Sequence, residues 1–272
     1  MTDRYAVVGN PIAQSKSPLM HAEFARQTGE DMRYDAMLAP LDGFAAAVAE
    51  FRARGGKGMN VTVPFKLQAF ELATRHTERA QQARAVNTLK FDADGILGDN
   101  TDGAGIVTDI ESNLAFPIRG RRVLMLGAGG AARGALLPLL QQQPASVELA
   151  NRTAEKALEL ALHFAAYGNV SGGGYARLAG RQFDLVINAT SASLNNLLPP
   201  LPQGAFAPGS LAYDMVYGKG LGCFLDYARG QGAAQVADGL GMLVEQGAEA
   251  FYVWRGVRPT DTRRVMEMLR RL

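Results

Sequence analysis

Short apolar runs of strand length alternate along the chain with stretches whose apolar residues recur at helical spacing. Tyr5–Gly9, Arg33–Leu38 and Met59–Val63 predict strands. Ser17 followed by Pro18 predicts a helix start, with serine as N-cap and proline in the first turn, and Gly29 predicts its end. Leu41–Arg54 predicts a helix closed by Gly55 and Gly56, and Pro64 predicts the opening of the next one. Ala85–Phe91 and Ile96–Gly98 flank Asp92-Ala93-Asp94-Gly95, a hairpin signal. A long helix is expected from Gly103 to Leu114, then a linker at Phe116–Gly120. Further strands are expected at 122–126, 147–151, 184–188 and 211–215, with helices between them. Gly172-Gly173-Gly174 reads as a surface turn and Leu197–Pro202 as an apolar, proline-rich loop. After Asp238-Gly239 a last helical pair begins. Leu243, Gly247, Ala250, Phe251 and Trp254 mark its buried face, Gln246 borders that stripe, and Thr260 caps the final helix. There Arg263, Arg264, Arg270 and Arg271 oppose Val265, Leu269 and Leu272, which reads as a solvated basic face.

Strands alternating with helices imply an α/β protein with largely parallel sheets. With 272 residues, two lobes are expected. One is an N-terminal α/β lobe, residues 1–102, completed by the C-terminal helices of 240–272. The other is a Rossmann-like nucleotide lobe, residues 103–239. The cleft between lobes is the expected place for an active site. A hydrophobic fraction of 47% can fill sizeable cores, and a net charge of +2 supplies no global field for nucleic acid. The single cysteine, Cys223, allows no disulfide framework and suits a reducing cytoplasm. No signal peptide is expected at the start, and no apolar run approaches the ~20 residues a membrane helix needs. His21, His76 and His163 are scattered without metal-ligand spacing, so no metal is expected.

The most informative stretch is the strand of residues 123–126 running into Gly127-Ala128-Gly129-Gly130-Ala131-Ala132. Gly127 and Gly129 leave room for a pyrophosphate against the backbone, and Ala132 fills the third small position of G-x-G-x-x-G/A. The helix that follows offers free N–H groups to phosphate. The next strand ends at Asn151-Arg152, where an NAD site would carry an acid for the ribose 2′-hydroxyl. An arginine there suits a 2′-phosphate, so the pair reads as an NADP site.

Three polar stretches of the first lobe carry candidate chemistry. Ser15 and Ser17 sit at a helix start, a good cradle for a carboxylate, although plain capping would explain Ser17 alone. In Asn60-Val61-Thr62-Val63 the two polar residues share one strand face. Lys66 then falls in the first turn of a helix, where the dipole disfavours a cation, a recognised setting for an acid/base lysine. In Gly98-Asp99-Asn100-Thr101-Asp102-Gly103 either acid could cap the next helix, and spacing does not say which faces the chemistry. The residues alone therefore support an NADP-linked reductase of a small anionic substrate.

The ordered set Ser15–Pro18, Asn60–Lys66, Ala85–Thr88, Gly98–Gly103, Gly127–Ala131, Asn151–Thr153 and Asp238–Leu243 closely resembles the shikimate dehydrogenase family over essentially the whole chain. The resemblance implies reversible NADPH-dependent reduction of 3-dehydroshikimate to shikimate in aromatic amino acid biosynthesis. Lys66 and Asp102 would be the catalytic pair. Ser15 and Ser17 would hold the substrate carboxylate, and Thr62, Asn87, Tyr217 and Gln246 the ring and its hydroxyls. Gly127, Ala128, Gly129, Gly130 and Ala131 would hold the pyrophosphate, and Asn151, Arg152, Thr153 and Lys156 would clamp the adenosine phosphate. Met215 and Gly239 would line the nicotinamide pocket, with Glu78 near the cofactor. The partners implied are small molecules, with neither nucleic acid nor membrane, and a homodimer stays open. A quinate/shikimate enzyme using either cofactor and a non-catalytic NADP-binding sensor stand as alternatives. One departure stands out: Asn188-Ala189-Thr190-Ser191 fits the family pattern, but Ser193 occupies a position where many relatives have glycine.

Overall fold

A computed structural model of the chain describes residues 2–195, 197–218 and 222–272. By chain contacts these form two compact units, Met1–Gly105 with Leu243–Leu272, and Ile106–Met242. The expected divisions at 102/103 and 239/240 lie within one helical turn of these limits, because a helix runs through each boundary.

The first unit opens with β1 (Asp3–Gly9), α1 (Ser17–Thr28), β2 (Met32–Leu38), α2 (Phe44–Ala53) and β3 (Gly56–Val61). It continues with α3 (Lys66–Leu72), β4 (Arg75–His76), α4 (Glu78–Ala83), β5 (Thr88–Asp92) and β6 (Gly95–Asp99). Among the described residues its strands form one six-stranded sheet in the order β2-β1-β3-β5-β6-β4. The sheet is mixed rather than largely parallel. β1 runs parallel to β2 and β3, but the β5–β6 hairpin, closed by the Asp92–Gly95 turn, pairs antiparallel with β3. Alternate residues bury both faces: Ala6, Val8, Met59, Val61 and Leu89 pack on one side, and Tyr5, Val7 and Tyr34 on the other. β4 and α4 were not expected, being two and six residues long with little apolar periodicity.

α5 (Asp102–Thr108) begins in the first unit and runs into the second, where one π-helical turn extends it through Asn113. Then come β7 (Arg122–Leu126), α6 (Gly130–Gln141), β8 (Ser146–Ala150), α7 (Ala154–Phe164), β9 (Val170–Gly173), β10 (Phe183–Asn188), β11 (Phe206–Asp214), α8 (Cys223–Gly230) and β12 (Gln235–Ala237). These strands form a parallel sheet ordered β12-β11-β10-β7-β8-β9, the doubly wound dinucleotide-binding order. Val123 and Met125 bury on one face and Leu124 and Leu126 on the other, as a sheet covered by helices on both sides requires. The expected linker is part of this core, since Phe116 and Ile118 are buried in it. The expected glycine surface turn is strand instead. Gly172 lies in β9, and a Cβ there would sit 2.2 Å from the Ala157 carbonyl oxygen of α7. Only glycine lets helix and strand approach that closely.

The chain ends with α9 (Leu240–Arg255) and α10 (Thr262–Arg270). Gly247, Ala250, Phe251 and Trp254 of α9 are buried as expected. Asp261, not Thr260, caps α10, accepting from the Arg264 N–H at 2.9 Å. Likewise Ser17 is the first residue of α1 rather than its cap. No described helix is long and apolar enough to cross a membrane.

His21 of α1 is fully buried, stacked on Tyr34 with ring centroids 4.1 Å apart and edge-on to Phe24. Burial pushes its pKa down from 6.5 to about 3. Below pH 6.5 the unfolded chain binds a proton that the folded chain refuses. Stability is therefore complete above pH 6.5 and declines as pH falls toward 3, by about 1.4 kcal/mol per unit. His21→Phe should remove this component of the acid slope. Urea unfolding at pH 7 and pH 5 measures it, and an unchanged slope in the variant would show that His21 does not set it.

Candidate functional site

In the first unit, β3 ends at Val61 and a turn closed by the Phe65 N–H on the Thr62 carbonyl (3.0 Å) leads into α3. Lys66 is the first residue of that helix. Its ammonium lies 2.5 Å from Asp102 Oδ2, at the first residue of α5. The other acid of the loop, Asp99, is committed elsewhere. It accepts from Arg79 at 2.6 and 2.7 Å, from the Thr77 hydroxyl at 2.6 Å and from the Asn100 N–H at 2.7 Å. These bonds hold its carboxyl below the usual range against the opposing effect of burial. The ambiguity between the two acids is thus resolved: Asp102 faces Lys66, and Asp99 braces the loop.

The second oxygen of Asp102 accepts from Asn87 Nδ2 at 2.7 Å. The direction of that bond is fixed by backbone. Asn87 Oδ1 accepts from the Thr101 N–H at 2.9 Å, so the amide can turn only its NH2 toward Asp102. The same NH2 reaches Thr101 Oγ1 at 3.0 Å and Gln246 Oε1 at 3.3 Å. Behind it, Asn60 donates to the Asn87 carbonyl at 3.2 Å and to Thr88 Oγ1 at 3.1 Å, and accepts from the Tyr34 hydroxyl at 2.7 Å. Asp102 therefore collects hydrogen bonds from an amide and an ammonium, the environment of a carboxylate. Ser15 Oγ accepts from the Ser17 N–H at 3.3 Å, so Ser15 rather than Ser17 serves the helix start. Lys16 instead reaches the Leu269 carbonyl at the end of α10, at 2.8 Å.

In the second unit a cavity of 570 Å³ opens at the carboxyl ends of the strands. Gly127, Ala128 and Gly129 form one wall. Gly127 has φ +106°, a conformation glycine takes freely, and the N-terminus of α6 has no side-chain cap. Asn151, Arg152, Thr153 and Lys156 form a second wall at the start of α7. The lining among the described residues includes no carboxylate. A helix N-terminus flanked by two cations is unfavourable until an anion arrives. Uncapped N–H groups, glycine walls and exposed cations fit a dinucleotide carrying an extra phosphate.

A family model described as the shikimate dehydrogenase substrate binding domain matches residues 7–89. One described as shikimate / quinate 5-dehydrogenase matches 110–198, and one described as the shikimate 5′-dehydrogenase C-terminal domain matches 239–268. A shikimate dehydrogenase (NADP(+)) of Nitrosospira multiformis is 63% identical over 270 residues, covering 99% of this chain and 98% of the relative. The chain belongs to the shikimate dehydrogenase family. Among solved structures, an Ael1 enzyme from Pseudomonas putida is 55% identical with a TM-score of 0.94, over 98% of each chain. The shikimate 5-dehydrogenase of Thermus thermophilus, in complex with NADP(H) and shikimate, is 33% identical with a TM-score of 0.87, over 99% of each chain.

Of the residues that the family resemblance singled out, Lys66, Asn87, Asp102 and Gln246 form one hydrogen-bonded cluster in the first unit. Thr62 follows β3, with its methyl against Gly9, where a Cβ would meet it at 2.5 Å. Gly130 and Ala131 open α6 beside the cavity wall. Met215 and Gly239 pack together, a Cβ on Gly239 falling 2.2 Å from the Met215 carbonyl oxygen. Tyr217 lies in the second unit, partly buried, with its hydroxyl pKa raised by that burial. Glu78 is exposed in the first turn of α4 and belongs to the first unit. Thr190 and Ser191, in the stretch after β10 that fits the family pattern, line the cavity too, and so do Tyr175 and Asn195, which the sequence did not single out. Tyr175 carried no signal, because β9 was read as a turn.

Proposed function

We propose that this chain catalyses the NADPH-dependent, reversible reduction of 3-dehydroshikimate to shikimate. The observation that carries the reading is the Lys66–Asp102 pair, held in a fixed donor sense by Asn87, in a family whose relatives use NADP. NADPH, when bound, supplies the hydride for the carbonyl carbon. Lys66 supplies the proton: one of its three N–H donors is taken by Asp102, leaving others to reach the ketone oxygen. Asp102, as an acceptor, orients the hydroxyl of the reduced product and steers the ammonium. Ser15 and Ser17 hold the substrate carboxylate, and Thr62, Asn87 and Gln246 bind ring hydroxyls, a role that the family resemblance also gives to Tyr217. Gly127 to Ala131 hold the pyrophosphate, and Asn151, Arg152, Thr153 and Lys156 the adenosine phosphate. Met215 and Gly239 border the nicotinamide. The assignments of Tyr217 and Glu78 rest on the family resemblance. The single cysteine suits a cytoplasmic home.

Purified protein with shikimate and NADP should generate the absorbance of reduced cofactor, and absence of turnover would overturn the reading. Running shikimate and quinate against NADP and NAD in the same assay distinguishes a dual-specificity enzyme. Lys66→Ala should cut turnover by about 10²–10⁴-fold and leave NADP(H) affinity nearly intact. Equal loss of both would mean that the variant has misfolded or that Lys66 has no role in the chemistry, and a circular dichroism melt separates these.

Arg152 generates a separate expectation. A charge-assisted bond to a 2′-phosphate contributes about 1.5–3 kcal/mol. Arg152→Ala should therefore weaken NADP(H) by about tenfold or more and spare NAD(H). Fluorescence titration of both reduced cofactors reads this directly, and parallel weakening of the two would refute the assignment.

A further inference from the structure

A buried polar cluster at the ends of β10 and β11 has no part in the chemistry above. Asn188, Ser193 and Asp214 are 0%, 1% and 2% exposed. Ser193 Oγ donates to Asp214 Oδ2 at 2.5 Å and accepts from Asn188 Nδ2 at 3.0 Å. Asn188 Nδ2 also reaches Asp214 Oδ2, at 3.2 Å, and the Val216 N–H donates to Asp214 Oδ1 at 3.0 Å. Backbone again fixes the sense. Asn188 Oδ1 accepts from the Thr190 N–H at 3.1 Å, so its NH2 must face Ser193 and Asp214. Every neighbour in this set donates to Asp214, and all are neutral. Burial pushes the Asp214 carboxyl up from its ordinary value. Burying a carboxyl among neutral partners carries a desolvation cost that the hydrogen bonds must offset.

The cluster joins two segments. Ser193 lies in the 3-10 turn Ala192–Asn195, within a loop whose residues Ala189 to Ala192 line the cavity. Asp214 ends β11, and Met215 and Tyr217 follow it. The strand order sets β8, β7, β10 and β11 side by side. Arg152 follows β8 and the Gly127 turn follows β7, so the loop after β10 and the turn after β11 lie on the far side of that turn from Arg152. A dinucleotide with its 2′-phosphate at Arg152 and its pyrophosphate at Gly127 extends its nicotinamide toward them.

We infer that Ser193 is a positioning residue for the nicotinamide end of the cofactor, acting through Asp214 to hold the 189–195 loop against the 215–217 turn. The inference rests on the NADP reading above. Without the Ser193 hydroxyl, Asp214 loses its shortest bond and Asn188 loses an acceptor, and only Asn188 still ties the two segments.

The test compares two probes, NADPH and adenosine 2′,5′-bisphosphate, titrated calorimetrically into the wild-type protein, Ser193→Ala and Asp214→Asn. The bisphosphate spans the phosphate clamp but carries no nicotinamide. The wild type should bind both. Ser193→Ala should weaken NADPH by about tenfold and leave the bisphosphate unchanged. Asp214→Asn keeps the acceptor for Val216 but turns an NH2 toward Ser193, and it should reproduce the selective loss. Should Ser193→Ala fail to fold, the Asp214→Asn titration decides. Equal weakening of both probes, or no weakening of NADPH, would overturn the inference. A wild type that binds NADPH but not the bisphosphate would instead sink the phosphate-clamp reading, and with it the direction assigned to the nicotinamide.

Discussion

A carboxylate obliged to remain an acceptor is the constraint around which the first unit is arranged. Asp102 receives Lys66 on one oxygen and Asn87 on the other. The amide orientation of Asn87 is set by the Thr101 N–H, and that of Asn60 by the Asn87 carbonyl, two backbone groups that cannot reverse. Turning either amide over would set acceptor against acceptor in a buried place, at a cost of about 1–3 kcal/mol. The polar residues behind the pair thus hold one hydrogen-bonding sense from Tyr34 through to Asp102, where Lys66 donates from the other side. Such a network rigidifies only because each member is satisfied.

The second unit meets a different demand with backbone. Its sheet places the ends of β8, β7, β10 and β11 in a row, and each is followed by a loop rather than an immediate return. Gly127 turns with a positive φ, while a Cβ on Gly129 or Gly130 would meet nothing, so the wall of the cavity is bare peptide. Bare N–H groups at a helix start bind phosphate without needing a side chain to be ordered first. Arg152 and Lys156 then add charge where the α7 dipole is already positive.

Much of this was legible in the sequence, and the exceptions share a cause. The four central parallel strands of the second unit and the glycine turn stood out because a doubly buried strand writes a continuous apolar run, whereas the edge strands β9 and β12 did not. The pairing of Lys66 with Asp102 came from family resemblance; spacing alone left Asp99 equally eligible. What decides between them is Arg79, a residue outside every motif considered, which takes Asp99 for itself. Gly172 looked like a turn because its reason for being glycine lies in the backbone of α7, distant in sequence. Phe116 and Ile118 looked like linker because Pro117 between them signals a break, although both flanking side chains are core. Ser17 and Thr260 were each misplaced as caps by a residue or two, since Ser15 and Asp261 offer equally good oxygen acceptors. Local chemistry identified the motif in each case, and a tertiary partner chose the residue.

The charges divide in the same way. Lys16 sits at the carbonyl end of α10, Arg79 bridges Asp99 and Glu249, and Arg255 pairs with Asp3 and Glu30. Each follows the ordinary rules for cations near helix C-termini or carboxylates. Lys66 breaks them by standing at a helix N-terminus, as do Arg152 and Lys156. Asp214 breaks them by lying buried among neutral donors. A fold can hold such groups only where packing elsewhere over-determines the structure, and they persist where an incoming ligand completes the electrostatics. These four residues lie in the proposed catalytic pair, the proposed phosphate clamp and the proposed nicotinamide loop. The places where the ordinary placement of charge is broken therefore coincide with residues proposed above to meet an anionic substrate or a phosphorylated cofactor.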